Sequence, residues 1–239
     1  MISRDFGKKQ NESKIVNSIM DMLSVRGWFC IKIHGNKYQK GLPDIYAAHS
    51  SLKTRWIEVK DPTRTGDVFT PAQHAMFPLM MKHGAPVWVL TGHTRDQYFL
   101  LFDKANYWHH NFDTIVNRWS PSHQDLTFNE SPVLWQGRGE LETTITKALM
   151  AKMRSLGWLV VKMHGNMYQA GMPDLYAVHP AIGERWIEVK SPHRTGDWFT
   201  VAQREVFPKM GANGAPIWVL TSVEELWLLG EPPNFWKML

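Results

Sequence analysis

Two short clusters in this chain, each present twice, have residue types and spacing that could do chemistry. Gly41-Leu42-Pro43-Asp44 is followed, 14 residues after the aspartate, by Glu58-Val59-Lys60; Gly171-Met172-Pro173-Asp174 stands in the same relation to Glu188-Val189-Lys190. On a β-strand, the alternation Glu-Val-Lys sends Glu58 and Lys60 to one face and Val59 to the other. A carboxylate and an ammonium then sit about 7 Å apart along the strand. Asp44, at the start of a neighbouring strand, can bring a second carboxylate to the same spot. Adjacent carboxylates repel, and a bound cation lets both stay ionised. Mg²⁺ suits such a set, because it is hard, prefers oxygen donors, keeps several waters and accepts phosphate oxygens. It lowers the pKa of an attacking water and neutralises charge on a phosphate in transit. Lys60 is placed to orient that water or to stabilise the transition state.

The elements that must position these groups are themselves written twice. Trp28-Phe29-Cys30-Ile31-Lys32-Ile33-His34-Gly35-Asn36 is matched by Trp158-Leu159-Val160-Val161-Lys162-Met163-His164-Gly165-Asn166, an offset of 130. That offset holds without a gap from Gly27–Thr91 to Gly157–Thr221, where 39 of 65 positions are identical (60%). After two residues are dropped, Asn106-Tyr107-Trp108 pairs with Asn234-Phe235-Trp236. Solenoid repeats run only about 20 to 50 residues, so this reads as a duplicated domain. Copy one is expected over 1–108, a polar linker over 109–139 that includes His109 and His110, and copy two over 140–239. The linker's apolar residues, Phe112, Ile115, Trp119, Phe128, Leu134 and Trp135, predict that it packs on a domain. About 30 residues reach about 30 Å as a coil, enough to set the copies side by side as a pseudo-two-fold dimer made from one chain.

Within each copy, Ile15, Ile19 and Leu23, like Ile145, Leu149 and Met153, recur at helical spacing. Strand-like runs follow at 28–33, 43–48 and 55–60. Thr70-Pro71-Ala72-Gln73 predicts a second helix with a capping box, which Pro78 and Pro208 should kink or shorten. Pro86–Thr91 and about Gln97–Phe102 read as further strands. The order αβββαβ(β) implies an α/β fold with a mixed sheet. Trp56, Trp88, Trp186 and Trp218 fall at strand positions and read as core.

Composition excludes more than it identifies. The chain has 239 residues, 44% apolar and 21% charged, which is ordinary globular usage. No run of about 18 uncharged apolar residues predicts a membrane span. The start Met1-Ile2-Ser3-Arg4-Asp5-Phe6 lacks a signal-peptide pattern, so an intracellular setting is expected, with a virus-encoded protein in a host cell allowed. One cysteine, Cys30, rules out an internal disulfide or a Cys-based zinc site. A balance of 27 Lys+Arg against 22 Asp+Glu permits a nucleic-acid partner.

Taken together, these motifs resemble the PD-(D/E)xK nuclease superfamily, and within it the VRR-NUC (virus-type replication-repair nuclease) branch. The likeness rests on a helix with an early Glu, Gly-x-Pro-Asp, Trp-Ile-Glu-Val-Lys and a following helix opened by Thr-x-x-Gln. It implies a restriction-endonuclease-like fold and metal-dependent cleavage of DNA phosphodiesters. By motif position, Asp44, Glu58 and the Val59 carbonyl would hold Mg²⁺, for which Mn²⁺ would substitute. Lys60 would be the catalytic base partner, Gln73 an orienting residue and Glu12 a metal or water contact. Glu142, Asp174, Glu188, Val189, Lys190 and Gln203 occupy the same places in copy two. The polar His34-to-Gln39 segment and the tandem arrangement depart from the branch's pattern.

Plainer readings stand beside these. Gln73 could merely complete a capping box, Glu12 and Glu142 could merely favour a helix N-terminus, and Asp44, Glu58 and Lys60 could form an inert salt bridge. The loop Ser50–Thr54 differs from Pro180–Glu184 at all five positions while every candidate catalytic position is identical. That contrast favours two intact sites. Arg64 and Thr65, with Arg194 and Thr195, suit phosphate gripping or a local Arg–Asp turn. His34, Asn36, Tyr38 and Gln39, with His164, Asn166, Tyr168 and Gln169, should line the mouth of each site and contact DNA, or simply pack. Two linked sites suit a two-fold substrate, so the leading expectation is a structure-selective endonuclease of recombination or repair that resolves Holliday junctions or other branched DNA. A restriction- or homing-type enzyme cutting palindromic duplex is the alternative with the same chemistry. A branched-DNA-binding protein that does not cut is the alternative of another class.

Overall fold

The computed structural model describes residues 12–33, 39–63, 67–107, 141–163 and 169–238. His34, Asn36, Tyr38, Arg64, Thr65, His164, Asn166, Tyr168 and the 109–139 linker lie outside them. In the first half, α1 (Glu12–Ser24) buries Ile15, Val16, Ile19, Met22 and Leu23, a stripe at helical spacing. The strands β1 (Phe29–Lys32), β2 (Ile45–His49), β3 (Lys53–Val59) and β4 (Val87–Leu90) form one sheet in that order. β1, β2 and β3 pair antiparallel, and β3 pairs parallel to β4 through α2 (Pro71–His83). The second half has the same layout: α4 (Glu142–Ser155), then β5 (Leu159–Lys162), β6 (Leu175–His179) and β7 (Gly183–Val189), followed by α5 (Val201–Ala212) and β8 (Ile217–Leu220). Ile45 pairs with Ile57 and Leu175 with Ile187, so the registers match as well. Among the described residues no helix is long and apolar enough to cross a membrane.

The expected strand at Gln97–Phe102 is absent. The segment is instead a short helix, α3 (Arg95–Phe99), running into a 3₁₀ turn at Leu100–Phe102; its counterpart is a 3₁₀ helix at Val223–Gly230. Local chemistry decides this. Thr94 caps α3 by accepting the Gln97 N–H, and Gln97 Oε1 accepts the Thr91 N–H at 2.8 Å. Helical spacing also stacks Tyr98 on Phe102, centroids 5.2 Å apart, a pairing that an extended chain cannot make. The β4 edge is closed another way. Asn106 accepts the Val89 N–H and donates to the Val89 carbonyl, at 2.7 and 3.2 Å, and Asn234 does the same for Val219. Pro78 and Pro208 do not shorten their helices, which run on past them.

Three cores result. α1 covers one face of the first sheet and α4 one face of the second. The other faces of both sheets, with Phe77 and Met80 of α2 and Phe207 and Met210 of α5, form one continuous core shared by the halves. Trp56, Trp88, Trp186 and Trp218 are all buried, as expected, and Trp56 and Trp186 lie in the shared core. Trp56 Nε1 donates to Tyr176 Oη across the seam at 2.9 Å. Gln39 and Gln169 are also seam residues and do not line an open mouth. They are 1% and 2% exposed, and Gln39 Nε2 donates to Gln169 Oε1 at 3.2 Å. A polar residue beside a loop reads as exposed in sequence; here a second half covers it.

Gly41 has φ +82, and a Cβ there would strike the Ala72 carbonyl in the first turn of α2; at Gly171 (φ +82) the Ala202 carbonyl would lie at 2.6 Å. This close approach seats the Pro-Asp turn against the helix that carries Gln73. G41A is expected to lower stability by about 2 kcal/mol or more, or roughly 4–8 °C in Tm. G84A, at φ +92 with open space around it, pays only the backbone strain and should lose less in the same thermal melt.

Candidate active site

Strand register assembles the site. One step beyond the Ile45–Ile57 pair, Asp44 comes opposite Glu58, and Asp44 Oδ2 accepts the Val59 N–H at 2.8 Å. Asp174 accepts the Val189 N–H at 2.9 Å. Lys60 Nζ lies 2.5 Å from Glu58 Oε1, and Lys190 contacts Glu188 in the same way. The Glu-x-Lys alternation puts both side chains on one face, but their charged ends touch instead of standing about 7 Å apart, and the pair is no surface salt bridge. Glu58 and Glu188 are each 1% exposed, with Lys60 at 6% and Lys190 at 4%. Taking such a pair out of water carries a desolvation cost that its mutual attraction repays only with further hydrogen bonds.

Gln73 unites two readings that the sequence left as alternatives. Its Oε1 accepts the Thr70 N–H at 3.0 Å, and Thr70 Oγ1 accepts the Gln73 N–H, so the capping box is formed. With Oε1 committed there, Nε2 must point the other way, and it donates to Glu58 Oε1 at 2.6 Å. Gln203 repeats both contacts with Thr200 and Glu188. Glu would satisfy a capping box equally well. Only Gln can also donate to the buried carboxylate.

Both donors converge on Oε1. Glu58 Oε2 and Glu188 Oε2 are buried with no hydrogen-bond partner. Burial, reinforced by the Asp44 carboxylate, pushes Glu58 up to about 8 against the pull of Lys60 and Gln73; the same causes push Glu188 up to about 7. Burial also raises Asp44 and Asp174, opposed by the backbone N–H and the lysine. Glu12 and Glu142 push these aspartates further up, which places the helix glutamates within electrostatic reach of the site. Lys32 and Lys162 pull the other way, a contribution the sequence reading missed although both are identical across the repeat.

The loop after the Glu-x-Lys strand is described in the second half. Arg194 Nη1 donates to Glu142 Oε1 at 3.2 Å and Nε to the Asp197 carbonyl at 2.8 Å, whereas Thr195 is exposed. The Asp197 carboxylate pairs with Arg204 instead, at 2.6 Å. Arg194 is thus tied to the helix glutamate at the rim of the site.

Among the described residues no group of three or more His, Cys, Asp or Glu forms a ready-made metal cluster. Each half offers two carboxylates, one oxygen of which is buried and unpartnered. Such an all-oxygen set fits a hard ion that keeps much of its water, as Mg²⁺ does, and is a poor set for zinc. No protein-family model, no curated protein and no solved structure matches this chain.

The raised carboxyl groups predict a pH dependence of stability. An unfolded Glu loses its proton near 4.5, while Glu58 and Glu188 hold theirs to about 8 and about 7. Between those values the folded chain binds more protons, so stability falls as pH rises, by roughly 1 kcal/mol per pH unit per group. Chemical denaturation without divalent ions should show this decline from pH 5 to 8, and E58Q/E188Q should make it shallower, Asp44, Asp174 and Glu184, also raised by burial, supplying the remainder. Stability that rises over that range in the parent chain contradicts the assignment.

Proposed function

We propose that this chain is a Mg²⁺-dependent DNA endonuclease with two paired active sites, acting on branched DNA such as a four-way junction. The observation that carries this reading is the unpartnered, buried Glu58 Oε2 beside Asp44 and Lys60, repeated at Glu188 beside Asp174 and Lys190. A carboxylate oxygen left without a donor inside a protein is costly, and a cation ligand would remove that cost. The resemblance to PD-(D/E)xK nucleases supplies the substrate class, a DNA phosphodiester.

When bound, Mg²⁺ supplies Lewis-acid stabilisation of phosphoryl charge and a more acidic water. The chain's own groups divide the remaining work. Asp44 is held by the Val59 N–H, which fixes the direction of its carboxylate. Gln73 grips Glu58 Oε1 and leaves Oε2 free to face a ligand. The Lys60 ammonium is desolvated, which strengthens its attraction for negative charge developing on a phosphoryl oxygen. Arg194 neutralises Glu142 at the rim and can exchange that partner for a backbone phosphate.

The shared core supports treating the halves as a pseudo-two-fold pair. Two tethered sites make the second cut of a symmetric junction effectively intramolecular. The test is cleavage of four-way, flap, splayed and linear DNA in Mg²⁺ and in Mn²⁺. The parent chain is expected to cut both strands of the junction, K60A and K190A to nick one, and K60A/K190A to fall by about 10² or more. Cutting of linear duplex at one sequence with the junction intact favours a restriction-type enzyme. Junction binding without cleavage, unchanged in K60A/K190A, makes the protein a scaffold.

A further inference from the structure

The seam between the halves is built around one carboxylate. Tyr176 Oη donates to Glu184 Oε1 and Thr54 Oγ1 to Glu184 Oε2, both at 2.8 Å, and Trp56 Nε1 donates to Tyr176 Oη at 2.9 Å. Trp56, Tyr176, Tyr46 and Trp186 surround this chain of bonds with ring centroids about 5 Å apart, mostly edge to face. Shifting each member by 130 residues gives Trp186, Tyr46 and position 54. That mirror chain is not closed: Tyr46 Oη and Trp186 Nε1 are buried without a hydrogen bond of normal length, while Tyr46 still feels Glu184, Thr54 and Trp186 around it. Position 54 is Thr where position 184 is Glu, so the one carboxylate, Glu184, serves both tyrosines.

The divergence of Ser50–Thr54 from Pro180–Glu184 therefore falls, at positions 54 and 184, on a contact between halves. Two glutamates, at 54 and 184, would bury like charges together. Two threonines would leave both tyrosines without a charged acceptor. Of these pairings only one Glu facing one Thr avoids both penalties, and Arg55 adds a favourable charge nearby. We propose that Thr54 and Glu184 form a one-carboxylate lock that makes the halves complementary to each other and poorly self-complementary, so that the first half takes the second half, and not another first half, as its packing partner. This inference is independent of the nuclease reading.

A swap in the full chain tests it. T54E is expected to lower Tm by roughly 4–8 °C, and E184T by a smaller amount. The double variant T54E/E184T should return to within about 2 °C of the parent, because the carboxylate moved to position 54 then meets Tyr46 and the hydroxyl at position 184. T54Q, of the same size without charge, should stay above T54E, and it keeps the comparison usable if T54E does not fold. A double variant no more stable than the sum of its single losses, or a T54Q as damaged as T54E, overturns the lock.

Discussion

Burial of an acidic pair beside an ammonium is the constraint on which the rest of the structure turns. Taking Glu58 and Lys60 out of water costs several kcal/mol per ion before their attraction is counted. The protein offsets this with geometry: the amide of Gln73 on Oε1, the Val59 N–H on Asp44, and Lys60 in contact. One oxygen per half remains unsatisfied. The arrangement is incomplete as a structural salt bridge, and under the proposed function a bound cation would complete it.

The same constraint explains the scaffold. Gln73 can grip Glu58 only if α2 starts at the right place, and the Thr70 capping box sets that start. Gly41 lets the Pro-Asp turn lie against the first turn of that helix. On the opposite face of each sheet, α1 and α4 bring Glu12 and Glu142 within electrostatic reach of the aspartates. The shared aromatic core then ties one half to the other.

Much of this was legible in the sequence, and the failures have physical causes. Helix α1, the strands, the capping boxes and the convergence of Asp44 on Glu58 follow from local periodicity and from the two-residue period of a strand. Gln97–Phe102 was misread because its apolar residues fit a strand as well as a helix, and the cap at Thr94 settles the choice. Gln39 and Gln169 were misread, and the Thr54–Glu184 contact was not foreseen, because these contacts come from the other half of the chain, which no local pattern encodes. Gln73 both completes the capping box and contacts Glu58, since an amide has two ends and the fold uses both.

The most direct measurement of the central claim is Mn²⁺ binding by the full chain, followed by paramagnetic resonance or calorimetry. The account predicts two saturable ions per chain, one remaining in D44N and none in D44N/D174N, with the fold intact by circular dichroism. Absence of saturable binding, or binding untouched by D44N/D174N, contradicts it.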